Sequence, residues 1–122
     1  MLLIETEIKP SPIAGYGLFA KNDILKGTAV WVFNKATDIK ITHSEFEDLN
    51  YVGRLYYMNF CYYNNGCYIL CGDNAKYTNH SVKPNLVIKD NSMIADRDIL
   101  AGEELTEDYF NYDELANYKL NN

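Results

Sequence analysis

The chain has 122 residues, of which 48% are hydrophobic and 23% charged, and its formal net charge is −6 at pH 7. This length predicts one domain, residues 1–122, with a core of modest size. The negative charge disfavours nonspecific nucleic-acid binding, which depends on Lys and Arg. The apolar runs are too short for a membrane-spanning helix and the first residues lack a signal-peptide pattern, so we expect an intracellular protein with no membrane contact.

The N-terminal part of the chain is typical of short strands separated by turns. Residues 4–9 alternate with the period of a strand, which Pro10-Ser11-Pro12 should end. Residues 18–20 and 28–33 are two further predicted strands. The pattern A-x-x-D-I-L-x-G occurs at residues 20–27 and again at residues 95–102. This repeat predicts two copies of one strand-turn-strand unit in a pseudo-symmetric β fold.

One helical region is predicted after Thr42. The sequence T-H-S-E has capping-box spacing, and apolar residues follow at helical intervals as far as Tyr56. Gly53 should weaken or break this helix near its middle. Two hairpins are expected, one turning at residues 64–66 and one at residues 90–91, because Asn, Asp and Gly accept positive φ. With one or two helical turns at residues 113–118, the fold class is mainly β, or α+β.

Two polar stretches are candidate functional segments. Residues 76–85 read K-Y-T-N-H-S-V-K-P-N, which favours an ordered loop over a helix. Its adjacent polar side chains, Asn79, His80 and Ser81, need partners from the fold or from a ligand. By itself this stretch is most simply a turn that caps itself. The second stretch, residues 102–109, reads G-E-E-L-T-E-D-Y.

In this order the two stretches resemble the signature of the SET-domain protein lysine methyltransferases, R-F-x-N-H-S-x-x-P-N followed by G-E-E-L-x-x-D-Y. The first stretch differs only in Lys76 and Tyr77, and the second matches at every specified position. A G-x-G element of the family appears as Gly15-Tyr16-Gly17. The resemblance covers residues 8–113 and implies a minimal, stand-alone SET domain of the bacterial or viral type. Its β-clip fold would combine small curved sheets, a short helical insert and a C-terminal pseudoknot.

The resemblance implies an S-adenosylmethionine-dependent protein-lysine N-methyltransferase that releases S-adenosylhomocysteine. The cofactor would enter one face, and a substrate lysine would reach its methyl group through a narrow channel from the other. Tyr109 would be the catalytic residue at the transfer point. Phe110, or alternatively Tyr112, would stack on the adenine. Carried over by position, the cofactor-binding residues are Gly15, Tyr16, Gly17, Asn79, His80 and Phe110.

Two positions depart from the family pattern, and both are assigned to substrate binding. Phe33 stands where the family often has the Tyr of a Tyr-x-Gly that lines the lysine channel. Glu107 stands where the family usually has a residue that tunes the number of methyl groups added. Its carboxylate could hold the ammonium of a substrate lysine or point to solvent. These departures leave open a catalytically silent SET-like module that binds a peptide or cofactor without methyl transfer.

The remaining polar residues are given structural roles or none. His80 is expected to be a structural hydrogen-bonding residue rather than a base, and Glu104 and Asp108 to stabilise the fold. The three cysteines, residues 61, 67 and 71, lack zinc-site spacing, so no metal is expected. The acidic charge suits a basic protein or peptide substrate. The expected location is the cytoplasm for a bacterial protein, or the host cell or nucleus for a viral protein or effector, and a homodimer is left open.

Overall fold

Short strands, most of them paired as hairpins, dominate the computed structural model, which describes residues 1–121. The sheets are β1-β2, β7-β10, β3-β9-β8 and β4-β6-β5, and every pairing is antiparallel except the parallel β7-β10 pair. The strands are β1 (Thr6–Pro10), β2 (Tyr16–Ala20), β3 (Ala29–Val32), β4 (Ile39–Thr42), β5 (Tyr62–Asn64), β6 (Cys67–Leu70), β7 (Asn79–His80), β8 (Leu86–Lys89), β9 (Ser92–Ala95) and β10 (Thr106–Glu107).

The helical insert is two helices, α1 (His43–Glu47) and α2 (Tyr51–Phe60), and a third helix, α3 (Ala116–Asn121), follows late in the chain. The predicted capping box is confirmed at the start of α1. The predicted break at Gly53 is wrong, because Gly53 lies inside α2. The chain breaks at residues 48–50 instead, where the Asn50 side chain accepts a 2.7 Å hydrogen bond from the Gly53 N–H and caps a new helix.

Both predicted hairpins are present. The β5-β6 turn has φ of 51° at Asn65 and 76° at Gly66, and the β8-β9 turn has φ of 48° at Asp90 and 63° at Asn91. Two consecutive positive φ values give a turn whose twist matches that of the flanking strands. None of the helices within residues 1–121 has the length and apolar character needed to cross a bilayer.

The repeated A-x-x-D-I-L-x-G units bind each other, and we call this pair the turn clasp. The N–H of Ile24 donates to the carbonyl of Ile99 at 2.7 Å, and the N–H of Ile99 donates back to Ile24 at 2.8 Å. The side chains of Asp23 and Asp98 each accept a backbone N–H of the other unit, both at 2.8 Å. The predicted pseudo-symmetry is therefore real, and Ile24 and Ile99 are both buried in the larger cluster of hydrophobic side chains, here called the main core.

A parallel pairing of β7 with β10 forms the expected pseudoknot. Thr106 lies opposite Asn79, Glu107 lies opposite His80, and the N–H of Ser81 donates to the Glu107 carbonyl at 2.9 Å. The polar stretch at residues 76–85 is thus not a loop throughout, since it contains the end of a 3-10 helix (Asn74–Tyr77) and strand β7. The second motif provides the partner strand of β7. The alternation of apolar and polar residues in the sequence does not reveal this pairing.

Candidate active site

A cleft of about 420 Å3, here called the main cleft, lies at the pseudoknot. This volume is within the range of small-molecule sites. Three of the predicted site residues, Asn79, His80 and Tyr109, meet in its wall. The full lining consists of Ile13, Ala14, Asn59, Asn79, His80, Tyr109, Tyr118, Lys119 and Leu120.

Asn79 fastens the N-terminal loop to the second motif. Its Nδ2 lies 3.1 Å from the carbonyl oxygen of Ala14, 3.2 Å from that of Tyr16 and 2.9 Å from Oε2 of Glu104, so two N–H groups are shared among three acceptors. The hydroxyl of Ser11 donates to the same Glu104 carboxylate at 2.9 Å. Glu104 therefore has the stabilising role expected of it, and it also holds the wall of the main cleft.

The G-x-G element needs both of its glycines, for different reasons. Gly15 has φ of +48°, which L side chains rarely adopt. A Cβ on Gly17 would lie 2.3 Å from Oε2 of Glu104, so any side chain there would push the carboxylate away from Asn79. The side chain of Tyr16 is exposed, and its backbone carbonyl faces Asn79.

His80 holds the chain that carries Tyr109. The backbone N–H of Tyr109 donates to Nδ1 of His80 at 3.1 Å, and the two rings lie 5.3 Å apart. A neutral imidazole accepting at Nδ1 carries its proton on Nε2. Phe110 is exposed and packs edge-on against the His80 ring at 5.7 Å, outside the lining of the main cleft.

Tyr109 lines the main cleft, and its hydroxyl donates a 2.6 Å hydrogen bond to the carbonyl of Thr78. Burial, reinforced by the nearby Glu107 carboxylate, raises the pKa of Tyr109 well above its usual value. The phenol therefore stays protonated at neutral pH. With its proton directed at Thr78, its oxygen lone pairs remain available to a ligand.

A small cavity of about 40 Å3, here called the chamber, also has Tyr109 in its wall. It shares Asn59, Tyr109 and Lys119 with the main cleft. It shares Tyr62 and Tyr112 with a third depression of about 390 Å3, which we call the outer groove. The chamber thus shares lining residues with both larger clefts, and it is lined by Asn59, Phe60, Cys61, Tyr62, Cys71, Ala75, Lys76, Thr78, Met93, Glu107, Tyr109, Tyr112 and Lys119.

Glu107 is the buried carboxylate of the chamber. Its side chain is 1% exposed, which rules out the alternative that it points to solvent. The Tyr112 hydroxyl lies close enough to lower the pKa of Glu107, but neither carboxylate oxygen accepts a hydrogen bond of full geometry from the described residues. Burial outweighs this effect and raises the pKa of Glu107 to about 7.

Lys119 is a site residue that sequence reasoning missed. Its Nζ binds the carbonyl of Cys61 and a carboxylate oxygen of Asp113, the latter at 2.6 Å, and lies 5.3 Å from the centre of the Tyr109 ring. Its one signal in the sequence is that it is the only basic residue after Arg97. Tyr62 gave no signal, since nothing in its local pattern distinguishes it from the other tyrosines. Tyr112 was named only as an alternative for stacking on the adenine, and it lines the chamber rather than the main cleft.

Phe33 is not brought to the chamber. It follows β3, its N–H donates to the carbonyl of Asn91, and its ring packs against the main core rather than lining any of the three cavities described above. Its predicted contact with a substrate lysine has no geometric support here.

The cysteines are all free thiols. Within residues 1–121, His, Cys, Asp and Glu side chains do not gather in any group of three or more suited to a metal ion. The absence of bound metal remains a prediction.

Comparison with known proteins places these features in context. The family model of the SET domain matches residues 15–110. A humanized mutant of the Chaetomium thermophilum Polycomb Repressive Complex 2 bound to the inhibitor GSK126 is similar with a TM-score of 0.69 and 25% identity, over 94% of this chain and 16% of that chain. A structure of ctPRC2 in an autoinhibited conformation bound to S-adenosylmethionine is similar with a TM-score of 0.69 and 24% identity. This match covers 96% of this chain and 16% of that chain.

A Plasmodium falciparum protein provisionally assigned as a histone methyltransferase is similar over nearly its whole length. The TM-score is 0.62 with 19% identity, over 88% of this chain and 95% of that chain. By contrast, the chain spans only 16% of the Polycomb Repressive Complex 2 chains it matches. A search of curated protein sequences found no match.

Proposed function

The chain belongs to the SET-domain family, and from this premise we propose that it is an S-adenosylmethionine-dependent protein-lysine N-methyltransferase. The family match covers residues 15–110, and the predicted fold of small sheets with a pseudoknot is confirmed. The observation that carries the proposal is the chamber at Tyr109, which shares lining residues with two larger clefts. A reaction between two ligands held in separate clefts needs a connecting space of this kind.

The main cleft suits the cofactor in size and chemistry. It combines apolar side chains such as Ile13 and Leu120 with the polar groups of Asn79 and His80. The Oδ1 of Asn79 accepts no hydrogen bond from the described residues, so it is available to a ligand donor. The bound cofactor would supply a methyl group on a positively charged sulfur. Asn79, the backbone at Gly15 to Gly17 and the backbone of His80 would hold it.

The chamber suits the end of a lysine side chain. It is small, and the rings of Tyr62, Tyr109 and Tyr112 line it, so it would strip water from an amine and align it with the methyl group. Desolvation and a nearby positive charge both favour the neutral amine, which is the nucleophile. The Tyr109 hydroxyl donates its hydrogen bond to the carbonyl of Thr78. Its oxygen can therefore accept a hydrogen bond from the amine and orient it.

The substrate class we propose is a basic protein or peptide. The chain carries a net charge of −6, which would steer a Lys-rich or Arg-rich partner toward it in a salt-dependent manner. Two of the similar structures come from a Polycomb complex and a third from a protein assigned as a histone methyltransferase, so purified core histones are the first substrates to test.

The test has two stages. Calorimetric titration with S-adenosylmethionine should show saturable binding with a stoichiometry of one. Transfer of labelled methyl groups to core histones, or to a basic protein extract, should then depend on the wild-type chain. Absence of cofactor binding contradicts the proposal. Binding without transfer to any protein would favour the silent module, a reading to which the buried carboxylate of Glu107 gives some support because the family usually has no acid there.

A further inference from the structure

We propose that Glu107 is the proton acceptor of the methylation site, taking a proton from the ammonium of the substrate lysine inside the chamber. This inference rests on the proposed function and makes it specific to this chain. It assigns to Glu107 a step that the family resemblance assigns to no residue of this chain.

The geometry of the carboxylate is the first support. Glu107 is the only carboxylate among the residues that line the chamber, and it is 1% exposed. Neither of its oxygens has a full hydrogen bond within the described part of the chain. The Tyr112 hydroxyl is the nearby donor that lowers the pKa of Glu107. A buried carboxylate with so little hydrogen bonding is destabilising and is rare in folded proteins, so one that lines a cavity points to a ligand donor. A lysine ammonium offers three N–H donors and the complementary charge.

The tyrosine phenols of the chamber are poor proton acceptors. Tyr109 already donates its proton to Thr78, and burial raises its pKa. Burial likewise raises the pKa of Tyr62 and of Tyr112 above the usual value for tyrosine. These phenols remain protonated at neutral pH and can offer only a lone pair.

The thiols and the lysines of the chamber are also excluded as proton acceptors. Burial raises the pKa of Cys61 to about 12 and that of Cys71 further still. Lys119 carries a positive charge and is paired with Asp113. Lys76 donates to the hydroxyl of Tyr56. Glu107 therefore stands alone as a group of the chamber that changes charge near neutral pH.

The groups around Glu107 set the pH at which it acts. Burial raises its pKa to about 7, the neighbouring Tyr112 hydroxyl and the Lys119 ammonium lower it, and the Asp113 carboxylate raises it. The phenols of Tyr62 and Tyr109 and the thiol of Cys71 also face it, and they are neutral. A base with a pKa near the working pH is the most effective proton acceptor.

The step balances as follows. The lysine ammonium gives one proton to the Glu107 carboxylate, which leaves a neutral amine and a carboxylic acid. The nitrogen lone pair then forms the N–C bond with the methyl group of the sulfonium donor, while the C–S bond breaks and its electron pair stays on sulfur. The product is a methylammonium group and a neutral thioether. Glu107 returns its proton to water once the product has left.

The first experiment needs no turnover. Protein labelled with 13C at the glutamate carboxyl carbons is titrated by NMR from pH 5 to 9, and the Glu107 signal is identified by its loss in Glu107→Gln. The probe is n-butylammonium, which has the shape of a lysine side-chain end, and n-butanol is the neutral control. We expect n-butylammonium to lower the apparent pKa of Glu107 by about one unit or more through ion pairing, and n-butanol to leave it unchanged. Equal titration curves with both probes would overturn the inference.

The second experiment is single-turnover methyl transfer as a function of pH, on a substrate found with the wild-type chain. The wild-type rate should rise with pH up to about 7 and then level off. Glu107→Gln should react about 10²-fold more slowly at pH 7, keep its cofactor affinity and show a rate that continues to rise at higher pH. The exposed Glu7→Gln is the matched control and should match wild type.

The outcomes separate the two proposals. If the wild-type chain methylates and Glu107→Gln has the same rate and pH profile, the role of Glu107 is overturned and the proposed function stands. Wild type that transfers no methyl group at any pH contradicts the proposed function. In that case an ion pair between Glu107 and n-butylammonium would still identify the chamber as an amine-binding site.

Discussion

The hydroxyl of Tyr109 donates a 2.6 Å hydrogen bond to the backbone carbonyl of Thr78. This contact joins the last residue of the second motif to the segment just before strand β7, across the pseudoknot. It also fixes the direction of the phenolic proton, so the oxygen lone pairs remain available to another donor.

We expect Tyr109→Phe to keep the fold and the cofactor affinity and to lose methyl transfer. Losing the hydrogen bond to Thr78 should lower the free energy of unfolding by about 1 kcal/mol. The rate should fall by about 10²-fold or more, by analogy with the removal of one positioned polar group in other enzymes. Single-turnover transfer, thermal melting and cofactor titration measure the three effects. The exposed Tyr51→Phe serves as control, and a wild-type rate in Tyr109→Phe would remove Tyr109 from the mechanism.

Glu104→Gln should loosen the wall of the main cleft. The carboxylate accepts from Ser11 and from Asn79, and an amide places an N–H2 group against one of these donors. We expect a loss of about 1–3 kcal/mol in the free energy of unfolding, together with weaker cofactor binding. Chemical denaturation and calorimetry measure both quantities. The neighbouring Glu103→Gln should stay within about 0.5 kcal/mol of wild type, and equal stability of the two variants would show that the Glu104 contacts contribute little.

Glu107→Gln should make stability less dependent on pH. The pKa of Glu107 is raised from 4.5 to about 7 in the folded state, so the native protein holds this proton more tightly than the unfolded chain does. Its contribution to stability is therefore fully present below pH 4.5 and is lost as the pH rises through 7. The loss is on the order of 3 kcal/mol.

The measurement for this prediction is thermal melting of both proteins from pH 5 to 8. At pH 8 the variant should melt several degrees above wild type, because about 1 kcal/mol shifts the melting temperature of a small domain by roughly 4–8 °C. At pH 5 the advantage should disappear. Parallel melting curves at every pH would mean that Glu107 titrates near its ordinary pKa.

Metal removal should leave the fold intact. The cysteines are free, and residues 1–121 contain no cluster of metal-ligating side chains. Purified protein should therefore contain no stoichiometric zinc by elemental analysis, and its circular dichroism and melting temperature should be unchanged in chelator. One zinc ion per chain, or unfolding in chelator, would refute this.

Local signals in the sequence predicted the elements that depend on local chemistry. The two hairpins follow from residues that accept positive φ, and the start of α1 follows from its capping box. The helix break was predicted at Gly53, but it lies just before α2, where the capping bond of Asn50 starts the new helix. The repeat of one motif predicted a pseudo-symmetric pair of units, but it did not predict that the two units bind each other in the turn clasp.

The site was predictable only where residues lie within the family motifs. Asn79, His80 and Tyr109 meet in the main cleft, as expected. The chamber is completed by Tyr62, which comes from a distant part of the chain, and by Tyr112 and Lys119, which follow the second motif but lie outside it. Phe33 does not line the chamber. Its N–H donates to the carbonyl of Asn91 in the β8-β9 turn, and its ring packs against the main core.

The turn clasp has a consequence for how the chain folds. Asp23 accepts the N–H of Ala101, which lies 78 positions further along the sequence, and the reciprocal contacts of Ile24 and Ile99 have a similar span. Such high contact order makes loop closure costly and folding slow for a domain of this size. On the ribosome the first unit has no partner until the second has been synthesised. We therefore expect the domain to fold after most of its translation is complete, with the main cleft and the chamber assembled only once the two units have joined.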